Sequence, residues 1–413
     1  MEPRLTDEHH IRPPTNASKR IRLHLAFSSG CLAIGLPGFP LCYFCMRIQY
    51  SPDRRIAISQ RSMGHETRRR KAAQIDIAQA AGVSTATVSR VLNRSPLVRP
   101  ELRARVERAM EKLAYLPHAG ARALASNRTG MIGALVPTLE NETFVRGINA
   151  LERRLRVAER TLVIAASNYS LETETVQVRR LLGRGVDGIM LVGNVHAAST
   201  LNVLRRAGVP FVATYVHEPS CRWPNIGFSN QAAMRRVAEH LIQLGHRDIG
   251  MFAGITQGND RAAKRLAGMR VGLRQHGLAL NPHATMELPY TIDAARSALA
   301  RLAKLGRLPS ALACGNDIIA LGVLFEATDR GIRVPGDLSV VGFDNAPITA
   351  HGRPTLTTVD IPVEEMGERA AEALLYMIDT ESLARSVELD APLLVRESTA
   401  PPRRRDRTRR ASR

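Results

Sequence analysis

Apolar and polar positions change period twice along this chain. From Gln74 to Asn93 they recur at helical spacing in two short runs separated by a sharp break. In the first run Ile75, Ala78 and Ala81 fall on one face. Gly82 then supplies a backbone free enough for a tight turn, and Val83 is placed as an apolar plug between the runs. Ser84 stands where a side-chain oxygen caps a helix, which the pattern predicts over 85–92. In that helix Val88, Val91 and Leu92 face inward, and Thr85, Ala86, Ser89 and Arg90 face out. A third helix begins at Pro100, a residue suited to a first turn, with Leu102, Val106, Ala109, Met110 and Leu113 on one face. Tyr115 and Pro117 are expected to end it.

From Met131 the pattern becomes an alternation. Short apolar, β-branched runs predict strands over 131–137, 161–167, 188–192 and 210–214, and a second set over 248–252, 311–314 and 338–342. Helical patterns fall between them, at 144–158, 232–244, 260–276, 292–304 and 318–330, with a further Glu- and Arg-bearing helix between the second and third strands. Short buried strands alternating with helices imply parallel sheets, and two such sets imply two α/β lobes.

Charge sharpens this division. Residues 1–128 carry 22 Lys+Arg against 9 Asp+Glu, residues 401–413 carry 7 against 1, and residues 129–400 are nearly balanced at 29 against 28. The excess of +20 therefore sits at the two ends, as in a polyanion-binding end joined to a neutral ligand-binding body. The basic run Arg68 to Lys71, directly before the first helix, suits phosphate contact. The break at Gly82 and the short-sided, nearly uncharged second helix make a helix-turn-helix that fits a DNA major groove. Ser84, Thr85, Ala86, Thr87, Ser89, Arg90 and Asn93 are its candidate DNA-binding residues. Arg90 is the candidate for a guanine, Thr85 for a hydroxyl contact and Ala86 for a thymine methyl.

The stretch I-x-x-A-x-x-A-G-V-S-x-x-T-V-S-R-V-L-N, Ile75 to Asn93, closely resembles the DNA-binding headpiece of the LacI/GalR (lactose-repressor) family of bacterial transcription regulators. The resemblance continues to about Ser398. It implies an N-terminal all-α helix-turn-helix headpiece followed by a periplasmic-binding-protein-like α/β body of two lobes with parallel sheets. It implies that the chain crosses between lobes near Phe228, Val359 and Leu389. It further implies a hinge helix, with Arg122 and Leu124 at the DNA and Leu124 wedged into the minor groove. His118 stands where the family often has Asn. In the body, R-x-x-G places Arg265 and Gly268, C-G-N-D places Asn316 and Asp317, and V-V-G-F-D-N places Asp344 at effector-binding positions. Phe228 and Tyr290 match aromatic wall positions and Tyr215 a polar position on the other lobe. Arg donates in pairs, Asp accepts from two hydroxyls and Asn does both, a set suited to a sugar, sugar acid or related metabolite. The family's N-P-F-F run is replaced by Pro137-Thr138-Leu139-Glu140-Asn141 and then Phe144, which bears on the ligand class.

The expected organisation is an extension over 1–62, a helix-turn-helix domain over 63–117, a hinge and linker over 118–128, an effector-binding and dimerisation body over 129–400 and a basic tail over 401–413. The apolar run 23–46 follows Lys19, Arg20 and Arg22, but Gly30, Gly35, Pro37, Gly38 and Pro40 interrupt it. The expectation is an over-extended start or a disordered extension before Met63, no membrane partner, and a cytoplasmic, nucleoid-associated protein. A membrane-linked sensor is the competing reading. Five Cys, with one lone C-x-x-C at Cys42 and Cys45, fit a reducing compartment without a metal site. Gly183, Gly185 and Gly188 form G-x-G-x-x-G, but after a helix and before a strand, the reverse of a dinucleotide loop. Phosphate-loop, nucleophile-elbow and zinc-protease motifs are absent. The expectation is therefore a regulator and not an enzyme, without cofactor, acting as a homodimer on near-palindromic, double-stranded operator DNA. The competing class is a binding protein of transport, against which the helix-turn-helix argues. The arginine-rich end, 403–413, has no heptad that would make a tetramer.

Overall fold

The computed structural model describes residues 72–92, 95–115 and 128–403. The helical part comprises α1 (Gln74–Ala81), α2 (Thr85–Leu92) and α3 (Pro100–Lys112) around a small core of Ile77, Ala78, Ala81, Val88, Val91, Val98, Val106, Ala109 and Tyr115. The inward face of α1 differs from the expected one. Ile75 is 51% exposed, and Ile77 is the fully buried residue that packs with Ala78 and Ala81. The two isoleucines lie two positions apart, about 200° around a helix, so only one of them can share the alanine face. Leu113 is likewise exposed. It is the C-cap of α3, and with Ala114 left-handed at φ 47° the chain turns so that Tyr115 closes the core instead.

Gly82 takes φ 60°, the left-handed C-cap that a side chain adopts only with strain. Arg105 holds this turn, its Nη2 donating to the carbonyls of Ala81 at 2.6 Å and Gly82 at 3.3 Å. The 83–92 piece is as expected: Val83 is partly buried against the core, and the Thr87 amide donates to Ser84 Oγ at 3.1 Å.

The body contains two six-stranded sheets. The first lobe is built from β1 (Met131–Val136), α4 (Glu142–Val157), β2 (Thr161–Ala166), α5 (Leu171–Gly183), β3 (Gly188–Val192), α6 (Ala198–Ala207), β4 (Phe211–Thr214) and β5 (Asn225–Gly227). The chain then enters the second lobe through α7 (Asn230–Gln243), β6 (Ile249–Gly254), α8 (Asp260–Arg274), β7 (Thr285–Leu288), α9 (Ile292–Lys304), β8 (Ala311–Cys314), α10 (Asp317–Asp329), β9 (Ser339–Asp344) and β10 (Thr357–Asp360). It returns to the first lobe with α11 (Val363–Thr380) and β11 (Val387–Glu388), and ends in the second with β12 (Leu393–Leu394). The strand orders are β11-β5-β4-β3-β1-β2 and β12-β10-β9-β8-β6-β7. All pairings are parallel except β10 with β12. The three crossings fall at 228–229, 361–362 and 389–392, beside the positions expected near Phe228, Val359 and Leu389.

The fully buried runs of β3, β8 and β9, and of β1 after Met131, explain why these strands read as continuous apolar segments. The two-residue β11 and β12 carry no periodicity and escape the sequence. The 18-residue α11 is amphipathic and packs along α4, yet it too lies outside the expected alternation because it belongs to the lobe the chain had already left. Gly185, at φ 78°, makes the turn between α5 and β3. Among the described residues no helix is long and apolar enough to cross a membrane, and no cluster of His, Cys, Asp or Glu is arranged to hold a metal.

Candidate functional site

Two surfaces carry the candidate residues. On α2, burial of Val88 and Val91 fixes the rotation of the helix and turns Thr85, Ala86 and Arg90 fully outward. Thr87 and Ser89 are half-buried, and the Thr87 hydroxyl lies 2.9 Å from that of Ser84. Ser84 and Thr87 therefore satisfy each other at the helix start, leaving Thr85, Ala86 and Arg90 as the most exposed surface. Asn93, Arg122 and Leu124 lie outside the described residues, as does His118.

The second surface is the cleft between the lobes, at the C-terminal ends of the strands, where α/β folds place their ligands. Arg265 on α8 is buried and organises it. Its Nε donates to Asn230 Oδ1 at 2.8 Å and its Nη1 to the Gly315 carbonyl at 2.6 Å. Its guanidinium lies 3.7 Å from the centre of the Phe343 ring, and Nη2 is 3.7 Å from the Asp344 carboxylate. Asp344 ends β9 with φ 118°, and the Thr143 hydroxyl of the first lobe donates to it. Burial pushes its pKa up to about 7, against the pull of Arg265 and with a push from Asp317. Asp317 is itself raised to about 6 by burial, although Thr358 and the Ala346 amide donate to it. It supports the β9 end from behind rather than lining the cleft.

Tyr215 is buried, donates to the Thr143 carbonyl at 2.9 Å and packs edge-on to Phe144. Tyr290 faces Tyr169 across the cleft at 5.7 Å between ring centres. Tyr169, Tyr215 and Asp344 all have positive φ, at 58°, 62° and 118°. Such backbone strain concentrates where a fold must aim side chains at a ligand. Phe228 departs from its expected place on the cleft wall. It is 1% exposed and packs on Phe343, so it backs the Arg265 shelf without lining the cavity. Located at the first crossing, it is taken up by the core that joins the lobes.

The structure adds residues that were not singled out for the cleft: Asn141, Thr143, Phe144, Tyr169, Asn259 and Arg261. Asn141, Asn259 and Asn316 share one role. Each is a helix N-cap whose Oδ1 accepts a backbone amide, from Thr143, Ala262 and Ile319 respectively. An Asn just ahead of a helical run is visible in sequence, but that three such caps meet at one cavity is not. Arg261, one turn before Arg265, reaches across to the first lobe. Its Nη1 donates to the Val192 carbonyl at 3.1 Å and to Asp260, whose other oxygen accepts from the Asn194 amide at 2.6 Å. With these contacts made, the cavity has about 20 Å³ of free volume, room for about one water. A wider groove of about 1390 Å³ opens at the opposite ends of the first-lobe strands, beside Arg205, Phe211 and Trp223. It lacks the converging buried polar groups of the cleft, which is the better candidate on chemical grounds.

A short-sided helix-turn-helix and a two-lobed α/β body with a polar cleft define the class of ligand-responsive transcription regulators. The comparisons agree with that class. The model of the bacterial regulatory proteins of the lacI family matches residues 75–118, and that of the periplasmic binding protein-like domain matches residues 238–399. The chain is 31% identical over 325 residues to catabolite control protein A of Priestia megaterium, covering 78% of this chain and 98% of that one. It is 35% identical over 334 residues to the HTH-type transcriptional regulator MalR of Streptomyces coelicolor, covering 79% and 96%. The crystal structure of the lac repressor dimer bound to operator and the anti-inducer ONPF superposes with a TM-score of 0.73 at 27% identity, covering 80% of this chain and all of that one. The chain belongs to the lacI family of bacterial regulatory proteins and is a transcription regulator; the relatives it matches are regulators rather than enzymes.

Proposed function

We propose that this regulator binds a near-palindromic operator as a homodimer, represses the genes beside it, and is controlled by a small metabolite, a sugar or sugar acid, held between the lobes. The exposed Thr85, Ala86 and Arg90 on a helix whose opposite face is locked into a core carry the DNA-binding half of this reading. In it, residues 63–117 form the DNA-binding domain, 118–128 the hinge and linker, and 129–400 the effector and dimerisation body. Arg265, Asn316, Asp344, Tyr290 and Tyr215 contact the effector, and Phe228 supports them from behind. The protein acts in the cytoplasm on the nucleoid and carries out no catalysis of its own.

Gel-shift titration of the full chain on genomic fragments tests it. A subset of fragments is expected to bind far more tightly than the rest, with affinity falling steeply as salt rises because each neutralised phosphate releases counterions. Arg90→Ala is expected to cost about 1–3 kcal/mol and to relax selectivity at one base pair. Equal affinity for all fragments would remove the regulator reading, and an equal loss on every sequence would reassign Arg90 to phosphate.

A further inference from the structure

Resting on the effector-binding reading above, we propose that the ligand is a small organic acid whose anionic oxygens are gripped by Arg261 and by the side-chain amides of Asn141, Asn259 and Asn316. The inference comes from the hydrogen-bonding inventory of the cleft. A backbone N–H requires an oxygen, so the three capping bonds assign Oδ1 to the helix and leave Nδ2 as the group each asparagine offers elsewhere. Asn259 Nδ2 donates one proton to the Tyr290 hydroxyl at 3.3 Å. The Nδ2 groups of Asn141 and Asn316 have no acceptor among the described residues. Among the described residues Arg261 uses only Nη1, so its Nε and Nη2 hold three further protons without an acceptor there.

These side chains are 9% (Asn141), 3% (Asn259), 2% (Asn316) and 8% (Arg261) exposed, and all line the same cavity. No fully enclosed side-chain nitrogen or oxygen among the described residues lacks a partner, so the spare donors keep accessible surface, and the residues that carry them line that cavity. Leaving buried donors unmatched costs stability, and a bound acceptor relieves it.

Charged acceptors are scarce by comparison. Asp344 is the one carboxylate among the lining residues, and it already receives the Thr143 hydroxyl and faces Arg265. A neutral sugar brings a proton with every hydroxyl, and apart from Asp344 the lining side chains take those protons on amide oxygens already used as helix caps or on the hydroxyl oxygens of Thr143, Tyr169, Tyr215 and Tyr290. A carboxylate or phosphate brings acceptors alone. The capped N-termini belong to α4, α8 and α10, helices of 16, 15 and 13 residues, whose amide dipoles add positive potential at the same place. Asn141 stands on the first lobe and the other three on the second, so one anion bound among them ties the lobes together.

The test uses the full chain and matched compounds: D-gluconate, D-glucose 6-phosphate and D-glucose, with the corresponding acid, phosphate and neutral forms of other hexoses and pentoses. Binding is followed by calorimetry in wild type, Asn141→Asp and Arg261→Gln. Asp caps a helix as well as Asn does but replaces the amide donor with an acceptor, so Asn141→Asp preserves the fold and alters only the cleft. The tightest compound is expected to be an acid, bound at least about tenfold more strongly than its neutral counterpart, with about a tenfold loss in each variant. The acid and phosphate arms tell which anion the site takes. A neutral sugar as the tightest compound, no acid surpassing its neutral form, or acid binding untouched in both variants would overturn the proposal. Operator gel shifts on the same samples separate the two readings: selective DNA binding answered by a neutral sugar sinks the anion alone, and loss of selective DNA binding sinks the regulator reading beneath it.

Discussion

Asp344 shows how one residue joins structure to solution behaviour. Its carboxyl has an ordinary pKa of 3.8 and is raised by burial to about 7 in the folded chain. Between those values the folded protein retains a proton that the unfolded chain has released. Stability contributed by this group therefore falls as pH rises from about 4 to about 7, by up to ~1.4 kcal/mol per pH unit for one proton. Asp317, raised to about 6, acts in the same direction over the lower part of the window. His240 and His246, lowered by burial, bend the profile the opposite way at acid pH. Asp344→Asn is accordingly expected to flatten the descent between pH 5 and pH 7 relative to wild type, measured as the difference between urea-denaturation free energies at each pH. Parallel curves for the two proteins would mean that Asp344 is ionised throughout.

The helix-turn-helix shows the same logic in an element. Its recognition surface exists because Val88 and Val91 face one way, and that orientation is held by α1 through Ile77 and by the Arg105 clamp on the Gly82 turn. Ile77→Ala is expected to destabilise the three-helix unit by about 2–5 kcal/mol, the usual range for truncating a buried isoleucine. Ile75→Ala, at an exposed position, is expected to change it by less than about 0.5 kcal/mol. Hydrogen exchange of the α1–α3 amides in the full chain distinguishes them, since local opening of this unit need not unfold the body. Equal protection in both variants would restore Ile75 to the core.

For the whole molecule, the question is how the cleft speaks to the DNA-binding end. The lobes meet through polar contacts across the cleft: Thr143 on Asp344, Arg261 on Val192, and Arg146, which pairs with Glu364 and donates to the Asn345 carbonyl at 3.3 Å. This arrangement leaves room for about one water, so a metabolite is expected to part some of these contacts and shift the lobes, and in a dimer that shift is expected to alter the spacing of the two DNA-binding ends. Asp344→Ala is expected to abolish the effector's influence on operator affinity, a coupling of about 1–3 kcal/mol, while leaving affinity without effector nearly unchanged. Operator titrations with and without ligand decide it; a variant that responds like wild type would remove Asp344 from the effector site. Light scattering in high salt is expected to show a dimer, and a stable tetramer would contradict that.

Local rules were enough for much of this protein. Period and capping residues located α2, α9, β3 and β8 to the residue, and the Gly82 turn and the other buried strands to within a residue or two at each end, because each depends on near neighbours in the chain. The family motifs put Arg265, Asn316, Asp344, Tyr215 and Tyr290 at one cavity, since each stands at the end of a strand or the start of a helix. The tertiary structure decided what depends on distant partners. It chose Ile77 over Ile75, because only the packing of α3 and α2 determines which side of a short helix is inside. It moved Phe228 from the cleft wall into the core, because a residue at a crossing is claimed by both lobes. It returned α11 to the first lobe, and it brought Asn141, Asn259 and Arg261 together from two lobes. Their convergence, and with it the donor-rich character of the cleft, arises from the folding of one lobe against the other and has no counterpart in any local pattern.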